Sequence, residues 1–212
     1  MTEVEINDKK YHLPTSYEEL SLRDYCNAFR GLQILMDDDV DDIARLVRLK
    51  YNESVILSRL MGADDEFAMD LPMSAYYKLA DKISFIYDYQ SMIDNAKAYI
   101  KVDGKMYGIP RAEKMSLRQY IDADMVMKED NSEQFLSLLS VLLLEMDGNG
   151  GYVPYKGDYE KKKKWVGELK CSDALPLIYH FFRIWQASRS ATKAYTAMEA
   201  MDKRQVHNTQ DS

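Results

Sequence analysis

The residues of this chain that could do chemistry are three histidines, an aspartate run, a glycine-rich loop and a lysine cluster. The histidines are His12, His180 and His207, side chains that change charge close to neutral pH. They fall on a predicted hairpin, an apolar helix and a polar terminal stretch. No nucleophile and orienting carboxylate adjoin any of them, so no local motif assembles a nucleophile, a base and an orienting acid. The run Asp37, Asp38, Asp39, Asp41 and Asp42 invites a calcium reading. A calcium loop starting at Asp37 needs Gly at its sixth place and Glu at its twelfth, where Asp42 and Arg48 stand. The run reads instead as an acidic helix start, its carboxylates facing the positive end of the helix dipole. The stretch Asp147-Gly148-Asn149-Gly150-Gly151 has the opening oxygen spacing of such a loop, with Asp158 twelfth, but Tyr152 takes the sixth place. Gly148, Gly150 and Gly151 also lack the lysine and the strand–helix setting of a phosphate-binding loop. The expectation is a chain with no catalytic residues, no metal site and no cofactor.

Contact chemistry is better represented. Lys161-Lys162-Lys163-Lys164-Trp165 is a concentrated basic patch beside a large ring. It fits an acidic partner surface, or a nucleic acid on which Trp165 would stack; it also fits a solvated helix with one buried aromatic. The loop 147–158 is long enough to be a partner-contacting arm, and its Tyr152, Pro154 and Tyr155 are unusual on a purely solvated loop. Tyr152, Tyr155, Lys161, Lys162, Lys163, Lys164 and Trp165 are therefore the candidate partner-binding residues. Sixteen tyrosines and thirteen methionines add to this, since both are adaptable interface residues. Tyr76, Tyr77, Tyr87, Tyr89 and Tyr99 cannot all face one core.

The elements that must position these residues are written twice. Val4 to Pro14 aligns without a gap on Ile100 to Pro110, and Ser21-Leu22-Arg23-Asp24-Tyr25 on Ser116-Leu117-Arg118-Gln119-Tyr120. A looser match sets Leu71–Ala75 beside Leu169–Asp173. Each copy predicts a hairpin, turning at Asn7-Asp8 and at Asp103-Gly104, where Gly accepts the positive φ of a tight turn. Pro14 and Pro110 end the second strands by removing a backbone donor. Ser21 with Asp24, and Ser116 with Gln119, read as helix N-caps. Helical spacing predicts further helices through Val40–Val47 with Asp38 or Asp39 as cap, Val55–Leu60 capped by Asn52, Tyr76–Tyr87, and Phe135–Leu142 capped by Asn131 or Ser132. A last helix, capped by Ser172, carries Leu175, Ile178, Phe182 and Trp185 and extends to about Asp202. The predicted fold is α+β and mostly α-helical. It comprises two tandem copies of a β-hairpin followed by a helical bundle, related by a pseudo-twofold. The copies span residues 1–95 and 96–202, the hairpins are able to share a sheet, and residues 203–212 form a disordered polar tail.

Composition bounds the rest. The chain has 212 residues, 46% apolar and 30% charged, with net charge −7, an ordinary globular balance. The acidic excess argues against a dedicated nucleic-acid binder. Cys26 and Cys171 match no metal spacing and are expected to be reduced, partly buried thiols. The start, Met1-Thr2-Glu3-Val4-Glu5, lacks signal-peptide character, and the apolar run Val141–Leu144 is far shorter than the ~20 residues that span a bilayer. An intracellular, soluble protein without a membrane partner is expected.

The stretch Val102–Pro110 followed by Ser116–Asp122, echoed at Ile6–Pro14 and Ser21–Tyr25, resembles small proteins from the structural gene clusters of tailed bacteriophages, and most closely the tail-assembly-chaperone-like proteins. The Lys161–Trp165 segment and the long last helix depart from that pattern. The resemblance implies a non-enzymatic assembly role in the host cytoplasm, through contact with phage proteins such as the tail tube, the tape measure or neck and portal components. A resident virion component of the neck, tail or capsid interior is the alternative it implies, with self-assembly into a homo-oligomer. A nucleic-acid-associated adaptor using the Lys161–Trp165 patch is the alternative read from the residues themselves.

Overall fold

The computed structural model of the chain describes residues 1–6, 8–32, 42–129, 131 and 133–186. Its fold is α+β and mostly helical, with two small antiparallel sheets. Strands β1 (Thr2–Ile6) and β2 (Lys9–Leu13) pair from Thr2 opposite Leu13 to Ile6 opposite Lys9. Asp8 in the turn between them has φ 61°. Strands β3 (Tyr99–Val102) and β4 (Lys105–Gly108) pair from Tyr99 opposite Gly108 to Val102 opposite Lys105. Both residues of their two-residue turn have positive φ, 48° at Asp103 and 80° at Gly104, the backbone twist that a tight hairpin demands. The two hairpins do not share a sheet. β4 instead pairs with β5 (Leu144–Glu145), giving the order β3-β4-β5. That third strand is the short segment between α6 and the loop 147–158, and the hairpin β1-β2 has no third strand among the described residues.

Helices α1 (Leu22–Ala28) and α5 (Leu117–Met127) begin at Ser21 and Ser116, whose hydroxyls accept from the amides of Asp24 and Gln119. Neither completes a reciprocal capping box. Asp24 is too short and accepts from the Ser21 hydroxyl at 2.6 Å instead. Gln119 turns into the core. Between residues 42 and 60 a single helix, α2 (Asp42–Leu60), replaces the two shorter ones expected from the pattern. Lys50-Tyr51-Asn52 contains no Gly or Pro to stop the ladder, so Asn52 stays inside the helix rather than capping a new one. Glu53, which accepts from Lys50 Nζ at 2.6 Å and from Tyr76 Oη at 2.5 Å, ties this junction to α3 (Met73–Lys82). The expected helix starts at Val40, Asp38 and Asp39, and the calcium reading of the aspartate run, lie outside the described residues. A short α4 (Tyr89–Asp94) precedes β3. Helices α6 (Gln134–Leu142) and α7 (Tyr159–Gly167) and a last helix α8 (residues 171–186) complete the order. Asn131 does not cap α6 as expected: Glu133 takes the N-cap position with no side-chain cap, Asn131 accepts from the Glu133 amide itself, and Ser132 is outside the described residues. Ser172 lies inside the first turn of α8 rather than capping it. The expected extension of α8 to Asp202, and the tail 203–212, are outside the described residues.

Several helix C-termini are closed by long polar side chains borrowed from elsewhere. The last carbonyls of a helix have no partner within it. Arg59 of α2 donates to the carbonyls of Ala28 and Arg30 at the end of α1 while its other nitrogens grip Asp65 at 2.7 Å. Gln134 donates to Met127 and Glu129 at the end of α5. Gln119, fully buried, donates to the carbonyls of Val141 (3.0 Å) and Leu142 (3.4 Å) at the end of α6, and Lys162 to Leu143 at 2.9 Å. Arg23 donates to Lys163 and Lys164 at the end of α7. A cation at these ends also opposes the negative pole of the helix.

Two apolar clusters form the interior. The larger surrounds α6, seven of whose residues are buried, and joins Tyr17, Leu20, Leu22, Tyr25 and Cys26 from the start of the chain to Leu177, Ile178 and Phe181 of α8. Backbone bonds stitch the same join, from Leu22 N to Leu169 O and from Cys171 N to Leu20 O, both 2.8 Å. The smaller holds Leu13, Ile56, Leu57, Leu79, Ile83 and Ile86. Both cysteines are free and buried. Among the described residues, no helix is long and apolar enough to cross a membrane.

A candidate protein-docking surface

The residues singled out for partner contact divide once they are placed. Tyr152 donates to the carbonyl of Ile109 at 3.3 Å, and its ring lies where a side chain at Gly108 would begin, 3.2 Å away. Tyr155 donates to Asp122 Oδ2 of α5 at 2.6 Å. Burial, and then this bond to a carboxylate, push the Tyr155 phenol well above its ordinary range. Asp147 Oδ1 accepts from the amides of Asn149 and Gly151, at 2.9 Å each. The loop 147–158 is thus fastened to the β3-β4-β5 sheet and to α5 at both tyrosines. Its aspartate is turned onto its own backbone.

The lysine run does not present four cations to one surface. Lys162 crosses the Tyr155 ring, 5.6 Å from its centroid, on its way to the Leu143 carbonyl, and burial lowers its pKa. Lys163 pairs with Glu160 at 2.8 Å and lies over Tyr159. Trp165 packs on Tyr107 with ring centroids 4.9 Å apart. Lys161 and Lys164, three apart and so on one face of α7, are exposed. Helix α7 is held at both ends by the paired arginines of the duplicated motif. Arg118 fills the space beside Gly157, and Arg23 the space beside Gly167, each guanidinium about where a Cβ would have to go. Spacing alone gave no sign of these two glycine contacts.

His12 is exposed on β2. His180 sits on α8, where burial and then Arg183 lower its pKa. His207 is outside the described residues. An open groove of about 430 Å³ lies against Lys105, Met106, Glu145 and Met146, but its cation and carboxylate neutralise each other at 2.9 Å. No three His, Cys, Asp or Glu among the described residues are grouped so as to hold a metal ion.

What the surface offers is apolar area. The first half of α2 stands clear of the body, with Ile43 71% exposed, Leu46 58% and Val47 64%. At 100° per residue these three share one arc of the helix. Leu49 and Tyr51 flank it, both exposed. The second half of the same helix is buried on every side, from Ser54 to Ser58. A second stripe runs along α5 at Leu117 (75% exposed), Ile121 (47%) and Met125 (62%), opposite the buried Gln119, Ala123 and Val126. Helical spacing finds the α2 stripe in the sequence but carries no sign of whether another element covers it. Contiguous exposed apolar faces of this kind mark interaction surfaces.

Comparison with family models, with curated proteins and with solved structures finds no match for this chain.

Proposed function

We propose that this protein acts by protein–protein contact, as a non-enzymatic assembly factor of the tail-assembly-chaperone type. The observation that carries the reading is the projecting half of α2. Ile43, Leu46 and Val47 are 58–71% exposed, so leaving them in water forgoes about 1–2 kcal/mol each, that share of the value for complete burial. A partner that covers the stripe recovers that energy. An apolar helix face laid into a groove is a common mode of recognition, and tape-measure, tail-tube and neck or portal proteins are the partners to which the resemblance of the hairpin and Ser-Leu-Arg motifs points. The duplication belongs to the same reading. In both copies the serine caps a helix and the arginine reaches a glycine flanking or ending α7, as expected of two descendants of one unit. With Lys162 and Lys163 committed within the fold, the nucleic-acid adaptor is the weaker alternative.

The test is deletion of the gene in its native system, with quantitative mass spectrometry of finished particles beside the lysate. Loss of particles, with the wild-type chain abundant in lysate and absent from particles, fits a transient chaperone. Stoichiometric retention makes it a resident component of the neck, tail or capsid interior. Normal particle yield without the gene defeats both forms of the proposal.

A further inference from the structure

The first strand of each hairpin keeps an open edge. In an antiparallel pair the backbone groups of successive residues point alternately toward the partner strand and away from it. Ile109 N donates to Ala98 O at 2.9 Å, one step past the pair Tyr99 and Gly108. Ala98, Ile100 and Val102 therefore face β4, and the amides and carbonyls of Tyr99 and Lys101 point outward. β1 pairs in the aligned register, with Ile6 standing where Val102 does. Thr2, Val4 and Ile6 face β2, and Glu3 and Glu5 present their backbone groups outward. β1 and β3 are end strands of their sheets. Among the described residues, no other backbone group bonds to either outward row. Such an edge is a template for a further strand.

The two edges are complementary in charge. Glu3, Glu5, Tyr99 and Lys101 all carry exposed side chains. On β1 two carboxylates share one cation, Lys10, which stands opposite Glu5 in register and lies 2.9 Å from Glu3. Lys101 has no carboxylate partner among the described residues. Two β1 edges laid together would set Glu3 against Glu5 twice, and like charges directly opposite destabilise a sheet. Two β3 edges would leave the carboxylates of β1 unanswered.

We infer that β1 of one copy adds antiparallel to β3 of a second copy, with Glu3 opposite Lys101 and Glu5 opposite Tyr99. Each of these pairs exchanges two backbone bonds. Glu5 is also diagonal to Lys101, within reach of a long side chain. The same register sets Val4 beside Ile100. Val4 packs on the smaller apolar cluster and Ile100 belongs to the larger, so the apolar sides of both hairpins stay on one face of the joined sheet. Because the two edges differ, the contact is head-to-tail, and association continues past the dimer unless the copies close into a ring.

Sedimentation velocity of the full chain tests this. The expected result is a mass that rises with protein concentration, through species larger than a dimer. Lys101→Glu, and separately Glu3→Lys with Glu5→Lys, should each weaken association by about tenfold, with the circular dichroism unchanged. Mixing the two variants should restore it, since each then meets an edge of opposite charge. A wild-type chain that stays monomeric at every concentration overturns the inference. So does unchanged association in either variant, or a mixture that associates no better than its parts. None of these outcomes bears on whether Ile43, Leu46 and Val47 bind a partner.

Discussion

Replacing Gln119 by Met should destabilise the protein by about 2 kcal/mol, and the value follows from what the side chain does. Methionine matches glutamine in length and fills the same space but has no donor. Gln119 is 1% exposed, and its amide closes the C-terminus of α6 at the Val141 and Leu142 carbonyls, 3.0 and 3.4 Å away. A buried acceptor left without a donor costs about 1–3 kcal/mol. The bond to Leu142 is long, so one full loss and a fraction of another is the fair sum. For a chain of this size each kcal/mol lowers Tm by about 2–4 °C, which puts the expected drop at roughly 4–8 °C. Urea denaturation should show a lower midpoint with an unchanged slope, the mark of a native-state loss. The N-cap at Ser116 uses the backbone amide of residue 119 and survives the change. Stability within about 0.5 kcal/mol of wild type, the range of an ordinary surface substitution, would refute the claim that this side chain closes the helix.

Gly167→Ala places a Cβ 2.5 Å from the Arg23 guanidinium and should cost about 1 kcal/mol through the displaced bonds to α7. In an Arg23→Met background the same change should be neutral or favourable, since Ala favours helix over Gly, and a double-mutant cycle reads the coupling. Leu46→Asp with Val47→Asp should leave stability within about 0.5 kcal/mol while abolishing partner binding, whereas Leu57→Ala, buried on the same helix, should cost about 2–5 kcal/mol; thermal melts of the two variants decide. Burial holds the Cys26 thiol neutral and pushes its pKa from 9.0 up to about 11. Because the folded value is the higher one, the stabilisation is full below pH 9 and is lost as pH rises toward 11. Stability measured across that window should fall more steeply for wild type than for Cys26→Ala, and equal slopes would contradict the assignment.

Sequence by itself determined what depends on neighbours a few residues apart. The Asp103-Gly104 turn follows from the need for positive φ at both positions, and the serine caps of α1 and α5 follow from a hydroxyl placed just before the first turn. The segment Phe135–Leu142 announced a strongly apolar helix because only two small serines, Ser137 and Ser140, interrupt its aliphatic and aromatic residues. Other features depended on partners distant in the chain. The two hairpins stand in separate sheets, and the strand that pairs beside β4 is β5, from residues 144–145, which no local pattern announced. Gln119 left its predicted capping role for the end of α6, 22 residues away. Lys162 and Lys163 looked like a basic patch until Leu143, Tyr155 and Glu160 claimed them. The stripes on α2 and α5 carry the same period as any core-facing helix. Only tertiary structure decided that they face outward, because burial is set by which elements meet, and the spacing of residues along one helix does not encode that.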